Sequence, residues 1–324
     1  MNSIGILTSG GDAPGMNAAI RAVVRTAITN GLKVFGIHHG YAGLIRGEIE
    51  ELNSHSVSNI IQRGGTILKT ARCEEFRTKE GRESAYEQLM QFGIDALLVL
   101  GGDGTFRGAL ALGHESGFPI IGIPCTIDND LFGTDSTIGY DTAINTVMHA
   151  VDKIRDTASA HDRLFFVEVM GRDAGFIALR SGISVGAEAI LIPETTTYIE
   201  QLIDKLNKEW KRKKSSLIII VAEGDDSGGA FTIAQKVKKR FNHYDTRVSV
   251  LGHIQRGGSP SAFDRVLASQ LGYEATTALM KGHRGAMAGI INKQMILTPF
   301  EKSVKHNHHI NTALLHLADL LSSV

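Results

Sequence analysis

The 324 residues include 34 basic and 34 acidic side chains, so a broad electropositive face for nucleic acid is not expected. A chain of this length exceeds what one hydrophobic core usually supports, which predicts two domains. Two cysteines without CxxC spacing, no secretory leader and no apolar run of membrane-spanning length predict a cytoplasmic protein that has no membrane partner.

Short apolar segments rich in β-branched residues are predicted to be strands, and helix-like segments separate them. In chain order the predicted strands cover 3–8, 33–37, 96–100, 119–123, 164–169, 189–192, 217–222, 248–251 and 287–291. They lack an alternation of polar and apolar residues, which is typical of parallel sheets covered on both faces. The sequence therefore predicts a doubly wound α/β architecture.

The longest predicted helix covers 141–158 and falls where a first set of strands gives way to a second. We therefore expect a domain boundary near Gly139, with two lobes facing one another across a cleft. Apolar residues at heptad-like spacing predict a C-terminal amphipathic helix docked on one lobe: Ile310, Leu314, Leu317 and Leu321. The first lobe is predicted to cover 1–138 and about 252–303, and the second 139–251 and the helix 304–324.

Two glycine-rich turns follow predicted strands. Residues 10–15 have the spacing of a phosphate loop, but Met16 and Asn17 stand where a P-loop needs Lys and Ser or Thr. Residues 102–107 open like a dinucleotide fingerprint, but Arg107 replaces its third glycine. Each turn is thus either a backbone anion site at a helix start or only a tight strand-to-helix connection.

Carboxylates stand at two of these strand ends, where open α/β sheets bind ligands. Asp103, within 101–105, can hold the divalent ion of a polyphosphate, and Asp128, within 124–130, can accept a proton. The pair indicates phosphoryl transfer, in which alignment and charge neutralisation do most of the work. The groups predicted to stabilise the transferred group are backbone N–H near Gly11 and Gly104, Thr126 and Arg72.

Arginines near strand ends or glycine turns are the predicted phosphate cations, because no P-loop lysine is present. They are Arg72, Arg163, Arg172, Arg247 and Arg256. For any one of them, a solvated surface side chain is the alternative. A satisfied structural histidine is the alternative for His253, which lies in the turn with Arg256.

Motifs over nearly the whole chain resemble those of bacterial ATP-dependent 6-phosphofructokinases. They are GILTSGGDAPGMN at 5–17, GGDGT at 101–105, PCTIDND at 124–130, MGR at 170–172 and GHIQRGGSP at 252–260. The resemblance implies two similar Rossmann-like lobes, a first that binds ATP and a second that binds the sugar phosphate. It also implies a homotetramer with shared active sites and glycolytic phosphorylation of fructose 6-phosphate by ATP and Mg²⁺.

The resemblance also implies residue roles. The catalytic set is Asp128 as base, Thr126, Arg172, Arg72 and Gly11. The ATP set is Gly11, Arg72, Cys73, Gly102, Asp103, Gly104 and Thr105, with Asp103 also at the metal. The sugar-phosphate set is Thr126, Ile127, Asp128, Met170, Gly171, Arg172, Glu223, His253, Ile254, Gln255 and Arg256, joined by Arg163 and Arg247 from a neighbouring subunit.

Two departures from the family pattern bear on donor and regulation. At the position of Cys125, ATP-dependent members usually carry Gly and pyrophosphate-dependent relatives carry Lys. At the position of Gly104, the pyrophosphate-dependent relatives carry Asp, so glycine there favours ATP as the donor. The pattern of an ADP or phosphoenolpyruvate effector site matches at Arg21, Arg25, Arg155, Gly186, Glu188, Arg212 and Lys214. It lacks the usual charges at Ser54, Asn59, Ser215 and Ser216, which predicts weaker or altered allosteric control.

Other functions remain alternatives to this interpretation. A pyrophosphate-dependent phosphofructokinase is the near one, and a lipid or NAD kinase sharing only the GGDG turn is more distant. A non-catalytic metabolite sensor and a dinucleotide oxidoreductase belong to different classes. The intact Asp128 argues against the sensor, and the missing fingerprint argues against the oxidoreductase.

Overall fold

The computed structural model describes residues 1–305 and 309–322, and it contains two compact α/β units. The first unit comprises 1–127, 131–142 and 256–305, and the second comprises 128–130, 143–255 and 309–322. Among the described residues, no helix is both long and apolar enough to cross a membrane. Residues 306–308 and 323–324, part of the predicted segment 304–324, lie outside the described residues.

The strands in chain order are β1 Ser3–Thr8, β2 Lys33–Ile37, β3 Ile49–Leu52, β4 Ala96–Gly101, β5 Ile120–Pro124, β6 Arg163–Val169, β7 Ala189–Leu191, β8 Ser216–Ala222, β9 Asp245–Val250, β10 Ala286–Ile291 and β11 Gln294–Pro299. The α-helices are α1 Met16–Thr29, α2 Gly40–Arg46, α3 Lys79–Gln91, α4 Asp103–Ser116, α5 Tyr140–Ala160, α6 Phe176–Ser184, α7 Ile199–Lys211, α8 Ala230–Lys238, α9 Ala262–Met280, α10 Phe300–Ser303 and α11 Thr312–Leu321. Short 3₁₀ turns cover Glu75–Arg77 and Gly252–Arg256.

The sheet of the first unit has the strand order β11-β10-β5-β4-β1-β2-β3. Its five central strands are parallel, and β3 and β11 pair antiparallel at the two edges. Side chains on both faces are buried, such as Leu7 and Leu97 on one and Ile6 and Leu98 on the other. Helices α3 and α4 cover the Leu7 face, while α9 packs on α1 and contacts β4, β5 and β10.

The sheet of the second unit has the order β7-β8-β6-β9, with all strands parallel. Every residue of β8 is buried, whereas β9 is a partly exposed edge. Helices α7 and α8 pack on the face that carries Leu164 and Ile219. The mostly parallel α/β architecture predicted from the sequence is thus confirmed.

Every predicted strand is present, although β9 begins at Asp245 rather than at 248. The prediction missed β3, which is short and half acidic, and β11, whose apolar run of three residues is bounded by polar residues and Pro299. The C-terminal helix α11 begins at Thr312, so Ile310 precedes it. The helix packs against α6 and buries no residue completely, because its leucines keep part of their surface exposed.

Candidate active site

The parallel register brings the carboxyl ends of β1, β4 and β5 to one edge of the first sheet. Thr8 pairs with Leu100 and Gly101 pairs with Pro124, so the loops that follow start side by side. The loop after β1 turns at Gly10 and Gly15, whose positive φ angles of 85° and 112° favour glycine. Polar groups from three loops can therefore act on one ligand at this edge.

Thr105 fastens the loop after β4 to the loop after β1. Its hydroxyl donates to the Ser9 carbonyl oxygen at 3.0 Å, and the Ser9 N–H donates to the Leu100 carbonyl at 2.9 Å. A Cβ on Gly101 would lie 2.2 Å from the Thr105 hydroxyl oxygen, so only glycine fits there. The starts of α1 and α4 are thus held together, and helix starts attract anions.

Asp103 opens α4 directly after the capping residue Gly102. Its Oδ2 accepts a 2.8 Å hydrogen bond from Arg107 Nε, and its side chain is 37% exposed. A Cβ on Gly104 would touch nothing within 4 Å. The next residue of the helix therefore borders open space beside a partly exposed carboxylate.

Thr126 and Cys125 follow β5. A Cβ on Gly102 would lie 3.6 Å from the Thr126 Cβ, so the two loops are in contact. The Thr126 carbonyl accepts from the Thr137 hydroxyl at 2.6 Å, and the Cys125 N–H donates to the Gly101 carbonyl at 2.9 Å. Burial raises the pKa of the Cys125 thiol well above its usual value, so this side chain is a neutral packing group.

In the second unit, Asp128 forms an ion pair with Arg172. Oδ2 of the carboxylate lies 3.4 Å from Arg172 Nε. The Asp128 side chain is 2% exposed, and the Arg172 side chain is 57% exposed. Arg172 has a positive φ of 53°, which is uncommon for a residue other than glycine. Its N–H donates to Glu223 Oε1 at 2.7 Å, which fixes the turn that aims the side chain.

Gln255 fastens the Gly252–Arg256 turn to the end of β6. Its Oε1 accepts from the Met170 N–H at 3.3 Å, and its Nε2 donates to the Gly252 carbonyl at 3.0 Å. The side chain is fully buried, whereas His253 and Ile254 of the same turn are exposed. The turn thus presents His253 outward from a rigid base.

The two groups of residues are chemically complementary. The first unit offers helix starts and glycine loops for phosphates, and the second holds a buried carboxylate beside an arginine and an exposed histidine. Comparison with known proteins agrees with this chemistry: residues 3–279 match the model of the family described as phosphofructokinase. The chain belongs to the phosphofructokinase family.

Several phosphofructokinases are similar over nearly their full length. ATP-dependent 6-phosphofructokinase 2 of Bacteroides thetaiotaomicron is 56% identical over 319 residues, 98% of each chain. ATP-dependent 6-phosphofructokinase 1 of Thermus thermophilus is 54% identical over 322 residues, 99% of this chain and 100% of that one.

Solved phosphofructokinases share the fold. The Saccharomyces cerevisiae structure has a TM-score of 0.89 and 36% identity, and it covers 100% of this chain, which spans 48% of the yeast one. The pyrophosphate-dependent enzyme of Marinobacter aquaeolei has a TM-score of 0.84 over 97% of this chain and 86% of its own. Its 22% identity shows the fold alone.

The residues predicted for ATP in this phosphofructokinase fall mainly on the first-unit edge. Gly11, Gly102, Asp103 and Gly104 belong to loops there, and Thr126, predicted for catalysis and for the sugar phosphate, lies on the neighbouring loop after β5. The Thr105 hydroxyl is already bonded to Ser9. Exposed Arg72 lies on a further segment, tied to the first loop by Thr70, which donates to the Gly10 carbonyl at 2.7 Å, while Cys73 packs against the core.

The residues predicted for the sugar phosphate divide into three places. Those at the carboxyl ends of second-unit strands or bound to them are Asp128, Met170, Gly171, Arg172, Glu223, His253, Ile254 and Gln255. Arg256 belongs to the first unit, as does the buried Ile127. Arg256 lies against the first glycine loop, since a Cβ on Gly11 would be 2.4 Å from its Nη1.

Arg163 and Arg247 lie near the opposite end of the second sheet. Both pair with Asp245 Oδ2, at 3.3 Å and 2.7 Å. A strand rises about 3.3 Å per residue, so Arg163 lies about 23 Å from Met170 along β6, and Arg247, whose register partner is Phe165, lies about 16 Å from that level. Within one chain these two arginines therefore cannot reach the sugar-phosphate residues at the carboxyl ends.

The predicted effector residues also divide. Arg21 and Arg25 share one face of α1, and the others belong to the second unit. There Arg155 Nη2 donates to the Val185 carbonyl at 2.6 Å, next to Gly186. Lys214 Nζ lies 2.8 Å from Glu188 Oε1, and Arg212 Nη1 lies 2.9 Å from Glu209 Oε1.

Asn17 is a loop-fastening residue that the motif analysis missed. Its Nδ2 donates to the Arg63 and Gly64 carbonyls, and its Oδ1 accepts from the Ile67 N–H at 2.8 Å. It stands in the first turn of α1 between Met16 and the apolar residues 18–20, and it is 1% exposed. A buried amide among alanines and isoleucine was the signal that could have found it.

The motif analysis also missed Asp264, a carboxyl group that makes the free energy of unfolding depend on pH. Burial raises its pKa to about 6, although hydrogen bonds from Thr142 and Gly139 act in the opposite direction. The folded chain therefore holds this proton more tightly than the unfolded chain, and the free energy of unfolding falls as pH rises from about 4 to about 6, by on the order of 3 kcal/mol. The negative charge of Asp141 also raises the pKa of Asp264. The charge of Asp264 in turn raises the pKa of the Cys125 thiol.

We expect Asp264→Asn to remove this contribution, because an amide does not titrate. The melting temperature of the wild-type protein minus that of the variant should be larger at pH 4.5 than at pH 7.5. Subtracting the two proteins at each pH cancels the other carboxylates. An equal difference at both pH values would show that Asp264 titrates like an exposed side chain.

Proposed function

We propose that this phosphofructokinase transfers the γ-phosphoryl group of ATP to the 1-hydroxyl of fructose 6-phosphate, giving fructose 1,6-bisphosphate in cytoplasmic glycolysis. The observation that carries the proposal is the buried Asp128 carboxylate paired with Arg172, in a chain similar over its whole length to ATP-dependent 6-phosphofructokinases. In this proposal the first unit binds ATP and the second binds the sugar phosphate.

Asp128 accepts the proton of the 1-hydroxyl as the oxygen attacks the γ-phosphorus. A carboxylate that is 2% exposed is screened little by water, and Arg172 holds it in one orientation. The more exposed guanidinium of Arg172 is the group proposed to neutralise the negative charge that spreads over the equatorial oxygens of the transferred phosphoryl group. Thr126, two residues before the base, belongs to the loop that contacts Gly102.

The phosphates of ATP lie at the starts of α1 and α4, where backbone N–H groups and the helix dipole favour anions. Asp103 would hold Mg²⁺, which neutralises phosphate charge when it is bound. Within the described residues, no three His, Cys, Asp or Glu side chains form a metal cluster. Mg²⁺ commonly takes one or two carboxylates and completes its shell with phosphates and water, so Asp103 with the phosphates of ATP is a sufficient set of ligands.

ATP rather than pyrophosphate is the donor in this proposal, because the space beside Gly104 is open. The test is phosphorylation of fructose 6-phosphate by the purified chain with Mg²⁺, comparing ATP and pyrophosphate in parallel. Turnover with ATP alone supports the proposal. Turnover with pyrophosphate favours the near alternative, and activity with neither donor favours a metabolite sensor.

We further propose a homotetramer in which Arg163 and Arg247 act in a neighbour's site. Their distance from Met170 in their own chain supports this assignment. We expect co-expressed Arg163→Ala and Asp128→Asn chains to regain about a quarter of wild-type turnover at low fructose 6-phosphate, since a mixed assembly contains sites with both intact residues. The assay compares the mixture with each variant alone; no gain over the separate variants would place Arg163 outside the shared site.

The effector site is proposed to bind ADP or phosphoenolpyruvate weakly. Glu188, Arg212 and Lys214 are engaged with one another or with Glu209, and the serines at 215 and 216 add no charge. We expect either compound to shift half-saturation by fructose 6-phosphate less than in a homologue that carries the full set of charged residues. Steady-state titrations of both enzymes check this, and equal shifts would refute it.

A further inference from the structure

We infer that Asp264, at the start of α9, is a positioning residue that holds three first-unit loops in register: the loop after β1, the loop after β5 and the loop that leads into α9. The inference rests on the proposed function. Asp264 is fully buried, and its carboxylate accepts hydrogen bonds from the start of another helix, α5. It acts on the reaction through backbone contacts, without touching substrate.

The carboxylate of Asp264 caps the start of α5. Oδ1 accepts the Gly139 N–H at 2.9 Å, and Oδ2 accepts the Thr142 N–H at 2.8 Å and the Thr142 hydroxyl at 2.6 Å. The Thr142 N–H belongs to the first turn of α5, where no intrahelical acceptor exists, and the Gly139 N–H lies directly before that turn. A helix start also favours a negative charge, which offsets part of the cost of burying the carboxylate.

The α5 start returns the bonds to α9. Thr142 Oγ1 accepts from the Ser261 N–H at 2.9 Å, and Asp141 Oδ2 accepts from the Ser261 hydroxyl at 2.5 Å. Ser261 is the N-cap of α9 and its side chain accepts from the Asp264 N–H at 3.2 Å. In a capping box the third helical residue would bond back to its own cap; here it bonds across to α5 instead, so each helix caps the other.

The segment just before α5 lies on two of the reactive loops. Ile138 pairs with Cys125, and its N–H donates to the Pro124 carbonyl at 3.0 Å, next to Thr126. A Cβ on Gly139 would lie 2.7 Å from Ala13 Cβ, and one on Gly15 would lie 2.6 Å from Ile138 Cγ2. Through Gly139, Asp264 therefore sets the distance between the glycine loop after β1 and the loop after β5.

The third loop is the one that leads into α9. Arg256 lies eight residues before Asp264, and its Nη1 donates to the Asp12 carbonyl at 3.3 Å. Gly64 and Gly258 also approach closely, since a Cβ on Gly64 would be 2.4 Å from the Gly258 carbonyl oxygen. Freeing the start of α9 from α5 would thus let Arg256 move relative to the first glycine loop.

The test is steady-state kinetics of Asp264→Ala and Asp264→Asn with ATP and fructose 6-phosphate. We expect Asp264→Ala to lower kcat by about 10- to 100-fold while both KM values change less than kcat, because misalignment of aligned groups costs turnover. Asn can keep its oxygen toward Thr142 but then presents N–H₂ to the Gly139 N–H, so only the Gly139 bond is lost. Its kcat should therefore fall between those of the wild type and Asp264→Ala.

Asp95→Ala is the control for loss of a carboxylate that accepts backbone N–H groups, at an exposed position. Asp95 also accepts two backbone N–H bonds in the first unit, from Asn2 at 2.6 Å and Ser3 at 3.2 Å. It lies directly before β4, at the amino end of the strand, whereas the reactive loops follow the carboxyl ends. Its kcat should stay near the wild-type value. Circular dichroism at the assay temperature shows that each variant is folded.

Hydrogen exchange separates this inference from the proposed function. In Asp264→Ala, amides in 137–142, 124–127 and 10–15 should exchange faster than in the wild type, and Asp95→Ala should leave them unchanged. If the wild type transfers no phosphate, the proposed function fails, and faster exchange still supports the loop-fastening role. Unchanged exchange in a folded Asp264→Ala variant, or a rise in KM with kcat retained, would overturn the inference.

Discussion

Replacing Asp128 by asparagine should lower kcat for fructose 6-phosphate phosphorylation by about 100- to 10,000-fold, the range typical for removal of a general base. The amide has nearly the shape of the carboxylate but does not take the hydroxyl proton. Because Arg172 loses its charge partner as well, its guanidinium becomes free to move. Steady-state turnover and calorimetric binding of fructose 6-phosphate measure the two effects separately.

Binding of the sugar phosphate should survive the Asp128 change within a few-fold. Removing a buried negative charge does not weaken an anionic ligand, and Glu223 still fixes the turn through the Gly171 and Arg172 N–H groups, at 3.2 Å and 2.7 Å. Asp130→Asn is the matched control, two residues along the same loop, and should keep most of the turnover. Equal losses in the two variants would assign the effect to the loop rather than to a base, and full turnover in Asp128→Asn would discard the base.

The sequence was sufficient for the central strands and for the loops that follow them. Strands such as β4 and β8 are buried on both faces and read as continuous apolar runs, and each reactive loop starts where such a run ends. The sequence predicted parallel strands, whose carboxyl ends share one side of a sheet, but the order β5-β4-β1 that places 10–15, 102–105 and 124–127 side by side came from the structure. The edge strands β3 and β11 were not predicted, because a strand that pairs on one side only does not need the continuous apolar side chains of a central strand.

Contacts between segments far apart in the chain could not be predicted from local pattern. The guanidinium of Arg256, a residue predicted for the sugar phosphate, lies against Gly11, which is 245 residues earlier in the sequence. Asp264 looks like the third residue of an ordinary capping box after Ser261, and only the fold shows that it caps α5 instead. Hydrogen bonds between buried polar groups that are far apart in the sequence depend on tertiary packing, which the periodicity of the sequence does not indicate.

Replacing Gly104 by aspartate should raise the KM for ATP by about 5-fold or more. A carboxylate placed within about 4 Å of a phosphate costs roughly 1 kcal/mol in water and roughly 4 kcal/mol near a protein surface, and 1.4 kcal/mol is tenfold in affinity. The open space at Gly104 means that the new side chain meets no protein atom within 4 Å of its Cβ. The carboxylate would therefore occupy the space that we assign to the nucleotide.

Loss of stability should not contribute to this effect. Gly104 is the second residue of α4, so aspartate there adds a negative charge at a helix start and removes a flexible glycine. The melting temperature should hold or rise while ATP binding weakens. Steady-state kinetics against ATP and a thermal melt on the same preparation measure both quantities.

Gly104→Ala separates charge from bulk, since it adds the Cβ without a carboxylate. If repulsion of phosphate charge decides donor use, alanine should change the KM for ATP much less than aspartate does, and raising the salt concentration should narrow the gap by screening. Equal effects of alanine and aspartate would make the restriction steric. An unchanged KM in both variants would remove Gly104 from the ATP site and leave the choice of donor to the loop around Cys125 and Thr126.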